Sequence, residues 1–438
     1  MKKVILLFFA LLISVAGFSQ GILTLFARSD EFMKAMEQEK FTEAHGFFDV
    51  SVQTKISPEN LQTIWGTLTT NYGKYIGMDV VQSKSEGEYF TVSVNAEFEK
   101  DTQGFLLVFN KSDKLVGLFP RQLNKVAAYV RPAYVDTAAY KEKEIYVKTP
   151  GHSLVGLLTT PAKGSNFPIV VLLHGSGPSD MDETVGPNKP LKDLAGGLAS
   201  KGIASIRYVK RTLAYAGDFN KVFTVKEEVM DDALAAIALA KTIPGVDKSK
   251  IFVFGHSMGG MLAPKLALQA PEIKGIVLAA APARKLTDII EEQNRYSVEQ
   301  AKDTTGNLQK QLEEVLKQTA KTRITTFGNV KPDSSLLGLP AAYWVDLNQY
   351  DQVATAKKLS KQKIFVVQGA FDFQVSTQDF DLWKAALGKK SNVTLKLYPD
   401  LNHLFIPQKE KGNMSQYGIP GSVSELLVND LVNWIKAK

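Results

Sequence analysis

Apolar positions along this chain change their spacing once, and the change divides it in two. In the first part, Asp30–Glu39 and Glu59–Asn71 carry apolar residues at helical spacing, and Ser57-Pro58-Glu59 supplies a helix start. Alternating runs follow at Ile76–Gln82, Tyr89–Phe98, Phe105–Asn110 and Leu115–Phe119, separated by polar turn signals. Helices followed by hairpin-linked strands predict a small α+β domain with an antiparallel sheet over residues 20–122. Residues 123–143 read as a linker.

In the second part, residues 144–438, short apolar strands alternate with amphipathic helices. The strands are expected at Pro168–Leu173, Ile203–Tyr208, Ile251–Phe254, Ile273–Ala279, Ile364–Gln368 and Val393–Tyr398. The helices are expected at Lys226–Lys241, Met258–Gln269, Asp379–Leu387 and Val423–Lys436. Repeated βα units predict an α/β fold, a parallel sheet with helices on both faces. One stretch, about 284–359, lacks strand pattern and carries Leu308, Leu312, Val315, Leu316 and Thr319 on one helical face. It reads as a helical insertion, a cap on the sheet domain.

The start of the chain has a different grammar. Lys2 and Lys3 precede an apolar run from Val4 to Ile13, and Gly17-Phe18-Ser19 offers small residues at −3 and −1 of a cut before Gln20. That is the layout of a secretory signal over residues 1–19, and the run is half the ~20 residues a membrane span needs. The expectation is export to the periplasm or beyond, with no span in the mature protein. The formal charge is +7 over 438 residues, with no basic run to suggest nucleic acid. The chain has no cysteine, which excludes disulfides, thiol catalysis and cysteine-ligated metals.

The chemistry concentrates around Gly255-His256-Ser257-Met258-Gly259, a G-x-S-x-G between an expected strand and an expected helix. Such a strand-to-helix turn is so sharp that it lifts the serine into the open, and the flanking glycines let the chain fold that tightly. Pro264 falls inside the helix that follows, where its missing N–H frees the Gly260 carbonyl.

A serine hydroxyl needs a base to take its proton. Of the five histidines, only His403 follows Ser257, as the order of parts around such an elbow requires. The acid that orients it should follow the preceding strand, where Asp372 stands; Asp379 and Asp381 fall within the next helix. After the strand ending at Leu173 comes His174-Gly175-Ser176-Gly177-Pro178. The oxyanion donors are then the N–H of Met258 and that of Ser176 or Gly175. His174 reads as a residue that orients this loop, and His256 receives no role. The acidic loop Asp180-Met181-Asp182-Glu183 has two readings, a contact for a polar or cationic group near the site and a solvated turn.

These residues carry a resemblance. Besides the elbow, they include Arg207-Tyr208 with Lys210-Arg211-Thr212, Gln368-Gly369 with Asp372, Gln374 and Val375, and Leu401-Asn402-His403-Leu404-Phe405. In this order, over about 240 residues, they resemble the α/β-hydrolases of the bacterial carboxylesterase group, close to the prolyl-oligopeptidase and dienelactone-hydrolase families. The first part resembles, by pattern, the small domains similar to nuclear transport factor 2 that precede some bacterial hydrolases. The resemblance implies Ser257, Asp372 and His403 as a triad acting on small-molecule esters with no metal or cofactor. Relatives usually carry Asp where this chain has Val209, which leaves open what holds Lys210 and Arg211. The same triad cleaves esters and peptides, so a serine peptidase stays the nearest rival, and a binding protein with an inert hydrolase domain is the rival from another class.

Overall fold

The computed structural model describes residues 19–86, 89–121, 123, 127–303 and 306–437, in two units, one ending before Ala127 and one from Ala127 onward. The segment expected to direct export lies outside the described residues, apart from its last one.

The smaller unit opens with helices α1 (Ser19–Glu37), α2 (Phe41–His45), α3 (Val50–Gln53) and α4 (Pro58–Tyr72). Strands β1 (Tyr75–Glu86), β2 (Tyr89–Phe98), β3 (Thr102–Asn110) and β4 (Leu115–Arg121) follow as an antiparallel meander. Helix α4 begins on a capping box, with Ser57 accepting from the Asn60 N–H and Asn60 accepting from the Ser57 N–H. Val92, Val94, Leu107 and Phe109 point from one face of the sheet onto Phe32 and Trp65 of the helices. The expected α+β domain forms as read.

The larger unit begins with a hairpin, β5 (Tyr140–Thr149) and β6 (His152–Pro161). Then come β7 (Phe167–Leu173), α5 (Pro190–Ser200), β8 (Ala204–Tyr208), α6 (Arg211–Ala214), a π-turn at Lys226–Met230 leading into α7 (Asp231–Ala240), β9 (Val246–His256), α8 (Met258–Gln269) and β10 (Gly275–Ala279). The insertion supplies α9 (Leu286–Ala301), α10 (Asn307–Lys321), the two-residue strands β11 (Ser335–Leu336) and β12 (Leu339–Pro340), α11 (Ala341–Gln349) and α12 (Gln352–Lys358). The chain closes with β13 (Lys363–Gly369), α13 (Thr377–Leu387), β14 (Val393–Tyr398) and α14 (Glu425–Lys436).

The sheet runs β14-β13-β10-β9-β7-β8-β6-β5. Its central strands carry apolar residues on both faces because both faces are covered. Ile169, Val171, Val253, Leu278 and Val366 point to one face, onto α7 and α8. Val170, Leu172, Phe254, Val277 and Val367 point to the other, onto Leu191 and Leu194 of α5 and Leu427 and Leu431 of α14. Two expectations change. The sheet is mixed, since β5 and β6 pair antiparallel and join β8 antiparallel. The stretch read as linker is shorter: β5 starts at Tyr140, and before it Val135 is buried and the Tyr134 hydroxyl donates to the Val423 carbonyl. Val423 lies almost three hundred residues downstream, a contact that local pattern does not reveal. The central strands are parallel and end on one edge, where the turns after β7, β9, β13 and β14 converge.

Candidate active site

Strand β9 lies between β7 and β10, and its last residue, His256, is followed at once by a helix. Ser257 takes φ 51° and ψ −115°, a left-handed conformation that costs a non-glycine residue about 1–3 kcal/mol. The Ser257 N–H donates to the Ala279 carbonyl at 2.8 Å, and the Gly259 N–H donates to the His174 carbonyl at 3.1 Å. A Cβ on Gly259 would stand 2.7 Å from that carbonyl oxygen, so the approach of elbow to turn requires glycine there. Helix α8 starts at Met258, whose N–H is among the four that no intrahelical carbonyl can reach. The helix runs on through Pro264 to Gln269.

The turn after β13 holds Asp372 fully buried. The N–H groups of Gln374 and Val375 donate to Asp372 Oδ1, each at 2.8 Å, and the Gln368 amide donates to Oδ2 at 2.9 Å. The remaining partner of Oδ2 is His403 Nδ1, at 2.7 Å. His403 sits in a loop shaped by Asn402, whose Oδ1 accepts from the N–H groups of Leu404 and Ile406. Asp379 is buried too, but Arg284 and the N–H groups of Ala283 and Arg284 occupy it. Ser257 follows directly on His256, whose ring lies 4.6 Å from that of His403. Ser257 Oγ makes no hydrogen bond among the described residues, so the serine is brought to the His403 loop without being bonded to its ring.

The turn after β7 is held at nearly every polar group. The Gly175 carbonyl accepts from Lys210 Nζ at 2.8 Å, and the Gly175 N–H donates to Glu183 Oε1 at 2.6 Å. The Gly177 N–H donates to Glu228 Oε1 at 3.3 Å, and its carbonyl accepts from the Thr212 hydroxyl at 3.2 Å. Among the described residues the N–H of Ser176 alone, between these anchors, meets no acceptor. Of the two residues expected to supply the second oxyanion donor, Gly175 is therefore corrected: its N–H is committed to a buried carboxylate, which leaves Ser176. A Cβ on Gly175 would stand 3.2 Å from Ser257 Cβ, so the turn passes directly beside the serine.

The partners that build this turn were not singled out in the sequence. Lys210 and Glu228 form a buried ion pair at 2.6 Å, and the Tyr343 hydroxyl of α11 donates to the other Glu228 oxygen at 2.7 Å. That answers what holds the two basic residues beside Val209: Glu228 holds Lys210, and Asp232 holds Arg211. Both carboxylates lie some twenty residues beyond their partners, on a segment read only as an amphipathic helix. The acidic loop is structural in all three carboxylates. Asp180 caps its own turn at Thr184, Asp182 pairs with Arg207, and Glu183 is buried against Gly175 and His256. His174 is buried with its ring edge against Tyr208, and burial pushes its imidazole down to about 4. In the insertion, Tyr343, Trp344 and Tyr350 are buried packing residues. Tyr296 lines a cavity of about 440 Å³ with Asp288, Arg295 and Gln378, whose walls do not include Ser257.

An eight-stranded sheet with a strained serine elbow between β9 and α8 and a buried Asp–His pair at its strand ends defines the α/β-hydrolase class. The chain belongs to the α/β-hydrolase family described as serine aminopeptidase, S33, whose model matches residues 191–410. Residues 29–118 match a family described as a protein of unknown function, DUF3887. Esterase EstD of Thermotoga maritima is 33% identical over 404 residues, covering 92% of this chain and 93% of the relative. Among solved structures, the acylaminoacyl peptidase of Pyrococcus horikoshii is 15% identical with a TM-score of 0.47, covering 82% of this chain and 57% of that one. The esterase PF2001 of Pyrococcus furiosus is 16% identical with a TM-score of 0.42, covering 72% of this chain and 98% of that one.

Proposed function

We propose that this protein is a serine hydrolase of small carboxylic esters, with Ser257 as nucleophile, His403 as base and Asp372 as the residue that orients it. The observation that carries the reading is the pairing of a strained, partly open Ser257 with a buried Asp372–His403 hydrogen bond at the same sheet edge. Asp372 Oδ2 accepts from Nδ1, which fixes the tautomer with its lone pair on Nε2, the nitrogen that must face a serine. His403 takes the Ser257 proton as Oγ attacks the acyl carbon. The N–H groups of Met258 and Ser176 receive the oxyanion, and each such donor is worth about 100–1000-fold in rate. The tetrahedral adduct collapses, the alcohol leaves with the proton from His403, and water activated by the same ring releases the acid.

The esterase name of the relative that spans both units supports an ester over a peptide substrate. So does the acidic loop: an aminopeptidase needs a carboxylate for the substrate amine, and Asp180 is taken up by Thr184 in its own turn while Asp182 and Glu183 are taken up by Arg207 and His256. The test is initial rates on p-nitrophenyl acetate and butyrate beside aminoacyl p-nitroanilides. Ester turnover without anilide turnover is the expected result, and anilide turnover without ester turnover overturns it.

A further inference from the structure

His256 fills the variable slot of the elbow motif, where its side chain has no part in forming the turn. It is nonetheless buried, and both ring nitrogens are engaged. Nε2 lies 2.9 Å from the carbonyl oxygen of His403, and Nδ1 lies 2.9 Å from Glu183 Oε1. A carbonyl oxygen only accepts, so Nε2 carries a proton. Glu183 Oε1 also accepts the Gly175 N–H at 2.6 Å. The result is one chain of contacts: Gly175 N–H to Glu183, Glu183 to His256, His256 to the backbone of His403. It joins the turn that carries Ser176, the elbow that carries Ser257 and the loop that carries His403.

We propose that the Glu183–His256 pair is a positioning strut, fixing the distance between the oxyanion turn and the His403 loop across the elbow. This rests on the reading of Ser257, Ser176 and His403 given above. Neither residue touches the reacting atoms; each acts through the group it holds.

The strut works with both ring nitrogens as donors, which requires an imidazolium facing an ionised carboxylate. The charged groups around it favour that state. Burial opposes charge on His256, but Glu183 from the acidic loop, the His403 carbonyl and Asp372 from the turn after β13 outweigh it and raise its pKa above the ordinary value. Burial likewise opposes charge on Glu183, and His256, His174 and the Gly175 N–H hold it well below the usual carboxylate range. Lys210 stands on the far side of the same turn. Among the described residues the second Glu183 oxygen is buried without a hydrogen bond, so no other partner there anchors the carboxylate.

The sequence position of Glu183 agrees with a positional role. It takes φ 54°, a left-handed conformation that a flexible solvated loop would relax.

The test uses the full chain with two variants, His256→Gln and Glu183→Gln, on p-nitrophenyl butyrate at pH 7.5. Both should lower kcat about 10–100-fold through displaced catalytic groups, with KM within about twofold. A 15N-histidine spectrum supplies the readout a packing role would not move. The wild type should show the His256 ring, identified as the signal lost in His256→Gln, with both nitrogens protonated at pH 7.5, and that ring should become neutral in Glu183→Gln. If His256→Gln does not fold, Glu183→Gln decides by the same two readouts. A change in kcat under threefold in a folded variant, or a neutral His256 ring in the wild type, overturns the strut. Ser257→Ala run alongside separates this from the reading it rests on: loss of turnover there with unchanged strut variants refutes the strut alone.

Discussion

Replacing Lys210 with methionine removes one half of a charge pair sealed beneath the oxyanion turn. Lys210 and Glu228 are 3% and 5% exposed, and their 2.6 Å contact leaves no room for water. The variant strands a carboxylate whose other partners are the Tyr343 hydroxyl and the Gly177 N–H. Breaking a buried pair from one side costs about 3–5 kcal/mol, because the remaining charge loses its counter-charge while staying out of water. For a unit of about three hundred residues that corresponds to a drop in melting temperature of roughly 5–8 °C. The Gly175 carbonyl loses its Lys210 donor as well, so the turn loosens and kcat should fall along with stability. The double variant Lys210→Met, Glu228→Leu removes both charges, and such replacements are often neutral; it should regain most of the lost stability and little of the lost kcat. Thermal melting by circular dichroism and initial rates on p-nitrophenyl butyrate measure the two effects. A Lys210→Met melting temperature within 2 °C of wild type, or a double variant no more stable than the single one, refutes the reasoning.

Asp372→Asn should lower kcat by about 10,000-fold with KM nearly unchanged, since an amide in place of Oδ2 presents the wrong partner to His403 Nδ1; saturation kinetics measure it. Burial holds His174 neutral down to about 4, so the unfolded chain takes up a proton below about 6.5 that the folded chain refuses, and stability falls as the pH drops through that window. Between pH 7 and pH 4 the stability of wild type relative to His174→Phe should therefore decline by about 3 kcal/mol, read from urea unfolding at each pH, and a constant difference contradicts it. Expression in an exporting bacterial host should yield a mature chain beginning at Gln20, read by intact mass.

What the sequence made legible follows from how far each signal reaches. The elbow is local: glycines, serine, strand and helix are contiguous, and Ser257 adopts the strained turn the motif requires. The positions of Asp372 and His403 could be read because each lies in the turn after a strand, so chain order fixes the edge of the sheet on which it emerges. The antiparallel hairpin β5–β6 was not among the expected strands, because solvent-facing residues such as Lys143, Glu144 and Lys148 interrupt its apolar positions. The supports of the oxyanion turn were invisible for a different reason. Glu228 lies 51 residues from Gly177 and His256 lies 73 from Glu183, and nothing in local pattern separates a buried carboxylate from a solvated one. Gly175 and Ser176 are equivalent donors in sequence, and only the distant carboxylate on the first distinguishes them.

The central claim is that Ser257 is the nucleophile, and covalent capture tests it most directly. A fluorophosphonate loses fluoride to an activated serine and leaves the phosphonyl group on its oxygen. With one equivalent of probe at pH 7.5, intact mass should show one adduct on wild type, peptide mapping should place it on Ser257, and Ser257→Ala should carry none. An adduct on Ser257→Ala equal to that on wild type, or mapping to another residue, would contradict the account.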